Sequence, residues 1–152
     1  MFVYLISRID PSSHMHNDAI SAMISHNGHD VFIPHQNNPC DVAHDQLPLG
    51  VFEMDVAAMQ KSDIGCVAFP IRCDCSAEIG WYSGNNKPVV GIIADTGHGY
   101  STCGEQYSSI KNNWMVKGFL TRLIVIACHD TYQECLADPI LKDKTVFLPT
   151  SA

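Results

Sequence analysis

Short, wholly apolar runs alternate along the chain with stretches in which apolar side chains recur at every third or fourth position. "FVYLI" (2–6) reads as a strand, and Ser12 or Ser13 can cap a helix over 14–26 that carries Ala19, Ile20, Met23 and Ile24 at helical spacing. "NGHD" is a turn, and "VFIP" (31–34) a second strand closed by Pro34. Residues 35–49 are polar, contain two prolines and read as a long loop, a length that in a compact domain often serves function. Next come a helix over 50–63, a strand over 64–70, a helix over 76–84 ended by Gly84-Asn85-Asn86, and a strand over 87–94. A Gly-rich polar segment (95–106) leads to a helix around 107–120, a strand over 123–127 and a last helix over 130–141. The sequence shows no repeat and no low-complexity segment.

Strands that are apolar at every position, separated by helices, require cover on both faces. The pattern therefore predicts an α/β, doubly wound, five-stranded parallel sheet with helices on both faces, of the Rossmann or flavodoxin kind. One domain spans 1–152, a length sufficient for a sizeable core. Ligands of such sheets bind beyond the carboxyl ends of the strands, near the point where strand order reverses. The residues to watch are therefore Ser7 and Arg8, the 35–49 loop, the 70–78 turn and the 95–106 segment.

Composition narrows the function. Hydrophobic residues make up 46% and charged residues 16%, the balance of a folded globular chain. Nine basic against sixteen acidic side chains give a net charge of −7, which disfavours nucleic acid as a partner. The apolar N-terminus is too short to span a bilayer and lacks a basic segment before it, so a cytoplasmic protein without a membrane partner is expected. Seven cysteines, an odd number, argue against a disulfide framework. Cys73-x-Cys75 and eight scattered histidines lack the paired spacing of a structural zinc site, so neither metal nor cofactor is expected. His14 and His16, two apart, would point to different faces of a helix.

No G-x-G-x-x-G opens a helix after the first strand, and there is no Walker A sequence and no G-x-S-x-G elbow. What remains is carboxylates. Asp55 sits in a largely apolar helix expected to be well buried, so it must reach solvent or face a cleft. In a cleft, desolvation raises its pKa. Asp63, just before the third strand, suits capping or turn bonding. Asp74 suits the N-cap of the helix that carries Glu78. Glu78 lies among small and apolar neighbours, with no basic residue following it until Lys87.

An ordered set of fragments is more specific than any of these alone. Tyr4 in the first strand, D-x-x-x-M-x-x-S-D from Asp55 to Asp63, "VAFP" (67–70) and "AEIGWYSGNNKPVV" (77–90) together resemble the nucleoside 2-deoxyribosyltransferase-like family. The likeness is nearest to its nucleotide-hydrolysing branch, the cytidylate (CMP) N-glycosidases, and covers most of 1–94. It implies that Glu78 is the nucleophile at the anomeric carbon, that Asp55 orients sugar and nucleophile, and that Tyr4 stands beside that nucleophile. It further implies that Ser7 and Arg8 approach the sugar or 5′-phosphate. Asn113, Met115 and Gly118 look like the segment that related transferases lend to a neighbouring subunit, so a homodimer or higher homo-oligomer is expected. The turn "RCDCSAE" departs from the family's pattern. It has Arg72 and no Gly where many members carry Asp or Ser followed by Gly, and Asp74 or Ser76 stand in for the usual contacts.

The expectation is hydrolysis of the base–sugar bond of a nucleoside 5′-monophosphate, CMP or dCMP among the candidates, with Glu78 ionised and its pKa well below 7. Asp55, Asp74 or solvent can assist the departing base. Arg8 or Arg72 can hold a phosphate, or Arg72 can be an ordinary surface residue. Trp81 is expected to pack against the sheet rather than stack on a base. The alternatives are base exchange by a transferase and a non-catalytic nucleotide-binding or sensing domain.

Overall fold

The structure, a computed structural model, describes residues 1–37 and 47–150. Residues 38–46 of the expected 35–49 loop, Cys40 among them, lie outside the described residues. Six parallel strands form one sheet in the order β2-β1-β3-β4-β5-β6. They are β1 (Phe2–Ile6), β2 (Asp30–Phe32), β3 (Ile64–Ala68), β4 (Val89–Ala94), β5 (Arg122–Ile126) and β6 (Thr145–Leu148). The helices are α1 (His14–His26), α2 (Leu47–Lys61), α3 (Cys73–Gly84), α4 (Cys103–Ser108), α5 (Trp114–Phe119) and α6 (His129–Leu136). The sequence pattern predicts five strands. The sixth, "TVFL", is a four-residue edge strand between a turn and a proline, too short to show a period.

Alternation along each strand sends side chains to two cores. Tyr4 and Ile6 of β1, Val67 of β3, Ile93 of β4 and Leu123 and Val125 of β5 face a core completed by α2 to α6. Val3 and Leu5, Cys66 and Ala68, Ile92 and Ala94, and Ile126 face the other core, where Ile20 of α1 packs. This split follows from handedness. The chain steps one way from β1 to β2 and the other way through every later crossover, so right-handed connections place α1 opposite the rest. Strand order reverses between β1 and β3, whose registers meet at Val3–Ile64 and Ile6–Val67.

Several local expectations are corrected. The helix expected over 107–120 is two short ones, α4 and α5, because Asn113 caps a new start, its side chain accepting from Val116 N at 3.1 Å. Asp74 is not an N-cap: α3 starts at Cys73 with Arg72 in the cap position, which leaves Asp74 inside the first turn. The first half of α2 is not well buried; Leu49 and Phe52 are 60% and 63% exposed. Only its C-terminal end, Ala58 and Met59, enters the core. Among the described residues Cys103 and Cys128 form a single disulfide, although the odd cysteine count argues against a disulfide framework. The fold sets the first residue of α4 against the β5–α6 turn, a contact between positions 25 apart in sequence that no local spacing foretells. Asp63, expected to cap or to bond a turn, instead ties the start of β1, its carboxylate accepting from Phe2 N at 2.8 Å.

Candidate active site

Two helices carry the acidic side chains, and both are anchored at one end. At the C-terminus of α2 the Lys87 ammonium donates to the carbonyls of Met59, Gln60 and Ser62 at 3.0, 2.8 and 2.7 Å. A cation there satisfies orphan carbonyls and complements the helix dipole. Lys87 also lies 5.6 Å from the centroid of the Trp81 ring on α3. Buried Ser62 adds a second tie, since its hydroxyl donates to Met59 O and meets the Tyr82 hydroxyl of α3 at 2.5 Å. The two helices are thereby held side by side over β1 and β3.

Between them is a cavity of about 330 Å³ lined by Phe52, Asp55, Val56, Met59, Asp74, Ala77, Glu78 and Trp81. Asp55 and Glu78 thus share one cavity, with mostly apolar walls. Trp81 packs against the core, as expected, and also forms part of the cavity wall. Tyr4 is fully buried in β1, its ring stacked on Phe32 at 5.5 Å, and lies close enough for both carboxylates to disfavour its ionisation. The Tyr4 hydroxyl and Glu78 Oε2 are buried without a hydrogen-bond partner among the described residues. Buried polar atoms of this kind require an explanation; Glu78 lines the cavity, and its idle oxygen is suited to a ligand's polar group.

Burial pushes the Glu78 carboxyl up to about 8, with Asp55 and Asp74 adding like-charge repulsion. Burial likewise raises Asp55 to about 6, against the opposing effect of Tyr4. The expectation of a Glu78 pKa well below 7 is therefore corrected. The first turn of α3 that was to lower it also carries Asp74, and the walls are apolar. Near neutral pH the pair retains a proton, and desolvation holds the Tyr4 phenol protonated.

The remaining candidates sit elsewhere. Ser7, at the end of β1, is buried with an unpartnered hydroxyl. Arg8 Nε donates to Asp10 Oδ1 at 3.0 Å, and its guanidinium lies over the Tyr100 ring at 5.6 Å. Arg72 is largely exposed, 4.0 Å from Asp10. Ser76 reaches back to Arg72 O at 3.5 Å, and neither it nor Asn113 lines the cavity. Residues missed in the sequence are Phe52, Val56 and Met59, which form the apolar wall, and Asp10 and Tyr100. Phe52 was visible as an apolar residue one turn before Asp55. Asp10 and Tyr100 meet Arg8 only through the fold. His16 is a core histidine, bonded to Phe69 O and Thr96 Oγ1 at 2.9 Å each, while His14 stacks on His35. Among the described residues no group of three or more His, Cys, Asp or Glu side chains is placed to hold a metal ion. No helix among them is long and apolar enough to cross a membrane.

No protein-family model matches the sequence. No curated protein matches it either. Solved structures do share its fold. A 2-deoxyribosyltransferase from Bacillus psychrosaccharolyticus aligns with a TM-score of 0.55 at 22% identity, over 60% of this chain and 72% of its own. A conserved protein from Enterococcus faecalis aligns with a TM-score of 0.52 at 14% identity, over 99% of this chain and 92% of its own. A CMP N-glycosidase from Clostridium botulinum aligns with a TM-score of 0.51 at 16% identity, over 90% of this chain and 98% of its own. At these identities the likeness establishes the fold.

Proposed function

We propose that the protein is an N-glycosidase that hydrolyses the base–sugar bond of a nucleoside 5′-monophosphate, with Glu78 as nucleophile. The observation that carries this reading is the pairing of Asp55 and Glu78, beside the Tyr4 hydroxyl, in one cavity with apolar walls. Two of the solved structures that share the fold act, by their names, on nucleoside chemistry: a 2-deoxyribosyltransferase and a CMP N-glycosidase. A pyrimidine nucleotide such as CMP or dCMP is the first substrate to try.

The chemistry needs a carboxylate under an oxocarbenium-like transition state and a proton for the departing base. The carboxyl pair holds one proton near neutrality. As the C–N bond breaks, its electron pair stays with the base, which takes up the pair's proton. The Glu78 carboxylate so released captures the anomeric carbon as a glycosyl ester. Water then opens the ester, with Asp55 accepting a proton from it, and the pair returns to its resting state. Tyr4, held protonated, donates to whichever carboxylate is ionised and orients Glu78. Ser7, Arg8 and Arg72, with Asp74 and Ser76 at the α3 start, form the substrate's other end.

Self-association belongs to this reading. Phe52 at the cavity mouth, Leu49, Trp114 and Met115 leave large apolar surface in water, and a second copy is the occupant that the 113–118 segment suggests. The protein acts in the cytoplasm and without a cofactor. The runner-up is a transferase, favoured by the mostly apolar cavity walls, which suit the ring of a second base as acceptor in place of water. The test is a chromatographic screen against common nucleosides and 5′-monophosphates, with and without free base, alongside Glu78→Gln. Base release from monophosphates, lost in the variant, supports the hydrolase. A new nucleoside formed only with added base makes it a transferase. Ligand binding that persists in Glu78→Gln, with no turnover in the parent, makes it a binding domain.

A further inference from the structure

The carboxyl ends of β1 and β3, where strand order reverses, hold a compact charge cluster that the catalytic pair does not use. Arg8 leaves β1 directly after Ser7. Its Nε donates to Asp10 Oδ1 at 3.0 Å, and Arg72 Nη2 approaches the same oxygen at 4.0 Å. Ser12 donates to the other oxygen, Asp10 Oδ2. Arg8 and Asp10 are about three-quarters buried, Arg72 much less so. Tyr100 closes the cluster from the β4 side, under the Arg8 guanidinium. The hydroxyls of Ser7 and Tyr100 are both buried without a partner among the described residues. Two guanidinium groups and the idle Tyr100 hydroxyl thus gather at one carboxylate, with the idle Ser7 hydroxyl next to Arg8 along the chain, a set of donors larger than one carboxylate needs and suited to a phosphate's three outer oxygens.

Arg72 also occupies the N-cap position of α3, six residues before Glu78. Six residues of helix rise about 9 Å, which leaves room for a sugar above Glu78 and its 5′-phosphate at the arginines.

We propose that Asp10 is a displaceable counter-ion: it holds Arg8 and Arg72 ready in the free protein and yields them to the substrate's phosphate monoester. Asp10 then sets the preference between phosphorylated and unphosphorylated nucleosides. An unphosphorylated nucleoside leaves the Arg8–Asp10 pair intact and gains nothing from it. A phosphate monoester must displace the carboxylate, and binding is weakened by the strength of that internal pair. The inference rests on the N-glycosidase reading for the identity of the ligand, but not for the anion exchange itself.

The test separates the two. Calorimetric titration of inorganic phosphate into wild type, Asp10→Asn and Arg8→Met, at constant ionic strength, reads the exchange without any turnover. Asp10→Asn keeps an acceptor for Ser12 and removes the competing charge, so phosphate should bind about tenfold tighter, the usual worth of one charged hydrogen bond. Arg8→Met should bind phosphate at least tenfold more weakly, on the same scale. Unchanged or weaker phosphate binding in Asp10→Asn overturns the proposal, as does wild-type affinity in Arg8→Met. Asp10→Ser, read the same way with its thermal melt, decides the matter if Asp10→Asn fails to fold. CMP and cytidine are then titrated into Glu78→Gln with and without Asp10→Asn. A rise in the CMP-to-cytidine affinity ratio upholds the proposal, and a constant ratio overturns it. A protein that passes these binding tests yet releases no base loses the catalytic reading and keeps the anion exchange.

Discussion

Glu78→Gln removes the most perturbed carboxyl of the cavity and keeps its shape, so it reads the electrostatic account through stability alone. The folded protein holds the Glu78 proton up to about 8, whereas an unfolded chain releases it near 4.5. Between those values the unfolded state binds fewer protons than the folded one, and stability falls as pH rises. Each pH unit of that interval is worth about 1.4 kcal/mol, which sets a ceiling of about 5 kcal/mol. The cavity opens to solvent, and water screening reduces this to about 2 kcal/mol. The variant has no such group and escapes the loss. Relative to wild type, Glu78→Gln should therefore gain about 4–8 °C in Tm when pH is raised from about 5 to about 8.5, by the usual scaling for a chain of this length. Scanning calorimetry of both proteins at both pH values supplies the number. A difference between them that stays constant with pH, or shrinks at high pH, would refute the buried-carboxyl argument.

Tyr4→Phe deletes a buried hydroxyl that has no partner among the described residues and that the proposed reaction turns toward the ionised carboxylate. Urea unfolding should therefore place the variant within about 1 kcal/mol of wild type, while kcat/KM for base release falls at least about tenfold, the lower end of what a hydrogen bond to a charged group supplies. Asp55→Asn removes like charge next to Glu78, so the alkaline limb of the pH–kcat/KM profile, expected near pH 8 in wild type where the pair loses its proton, should move to lower pH. Gly91→Ala would bring a Cβ to 2.6 Å from Phe69 Cε2 and should destabilise by about 1–3 kcal/mol in urea. Reducing Cys103–Cys128, which spans 25 positions, should lower stability by about 3 kcal/mol; an unchanged melt in excess dithiol would contradict it.

The sheet was legible because each buried parallel strand is apolar at consecutive positions and is closed by a polar residue or a proline, as at Ser7, Pro70 and Asp95. "FVYLI", "IGCVA" and "VVGIIA" show this without reference to any partner. β6 was not, since four residues bounded by Lys144 and Pro149 carry too little pattern. Glu78 and Asp55 stood out as isolated acids in apolar helices, and the fold brings them to one cavity. The Glu78 pKa was read in the wrong direction because a helix start is a local feature, whereas the wall that α2 brings up with Val56 and Met59 is tertiary. Asp10 shows the same limit. An Arg-x-Asp directly after a first strand is ordinary in sequence, and only the arrival of Arg72 and Tyr100 makes it a cluster. The exposed half of α2 reverses a reading drawn from composition, because an apolar helix facing a cavity mouth looks the same as one facing a core.

The central claim is that Glu78 forms a covalent bond to the sugar. Incubation with a 5′-monophosphate whose 2′-position carries fluorine, which slows the second step more than the first, followed by intact-mass and peptide mass spectrometry, tests it most directly. A mass increase equal to the fluorinated sugar phosphate, confined to the peptide that contains Glu78 and absent from Glu78→Gln, is the predicted result. Release of base with no adduct, or an adduct on another residue, would contradict it.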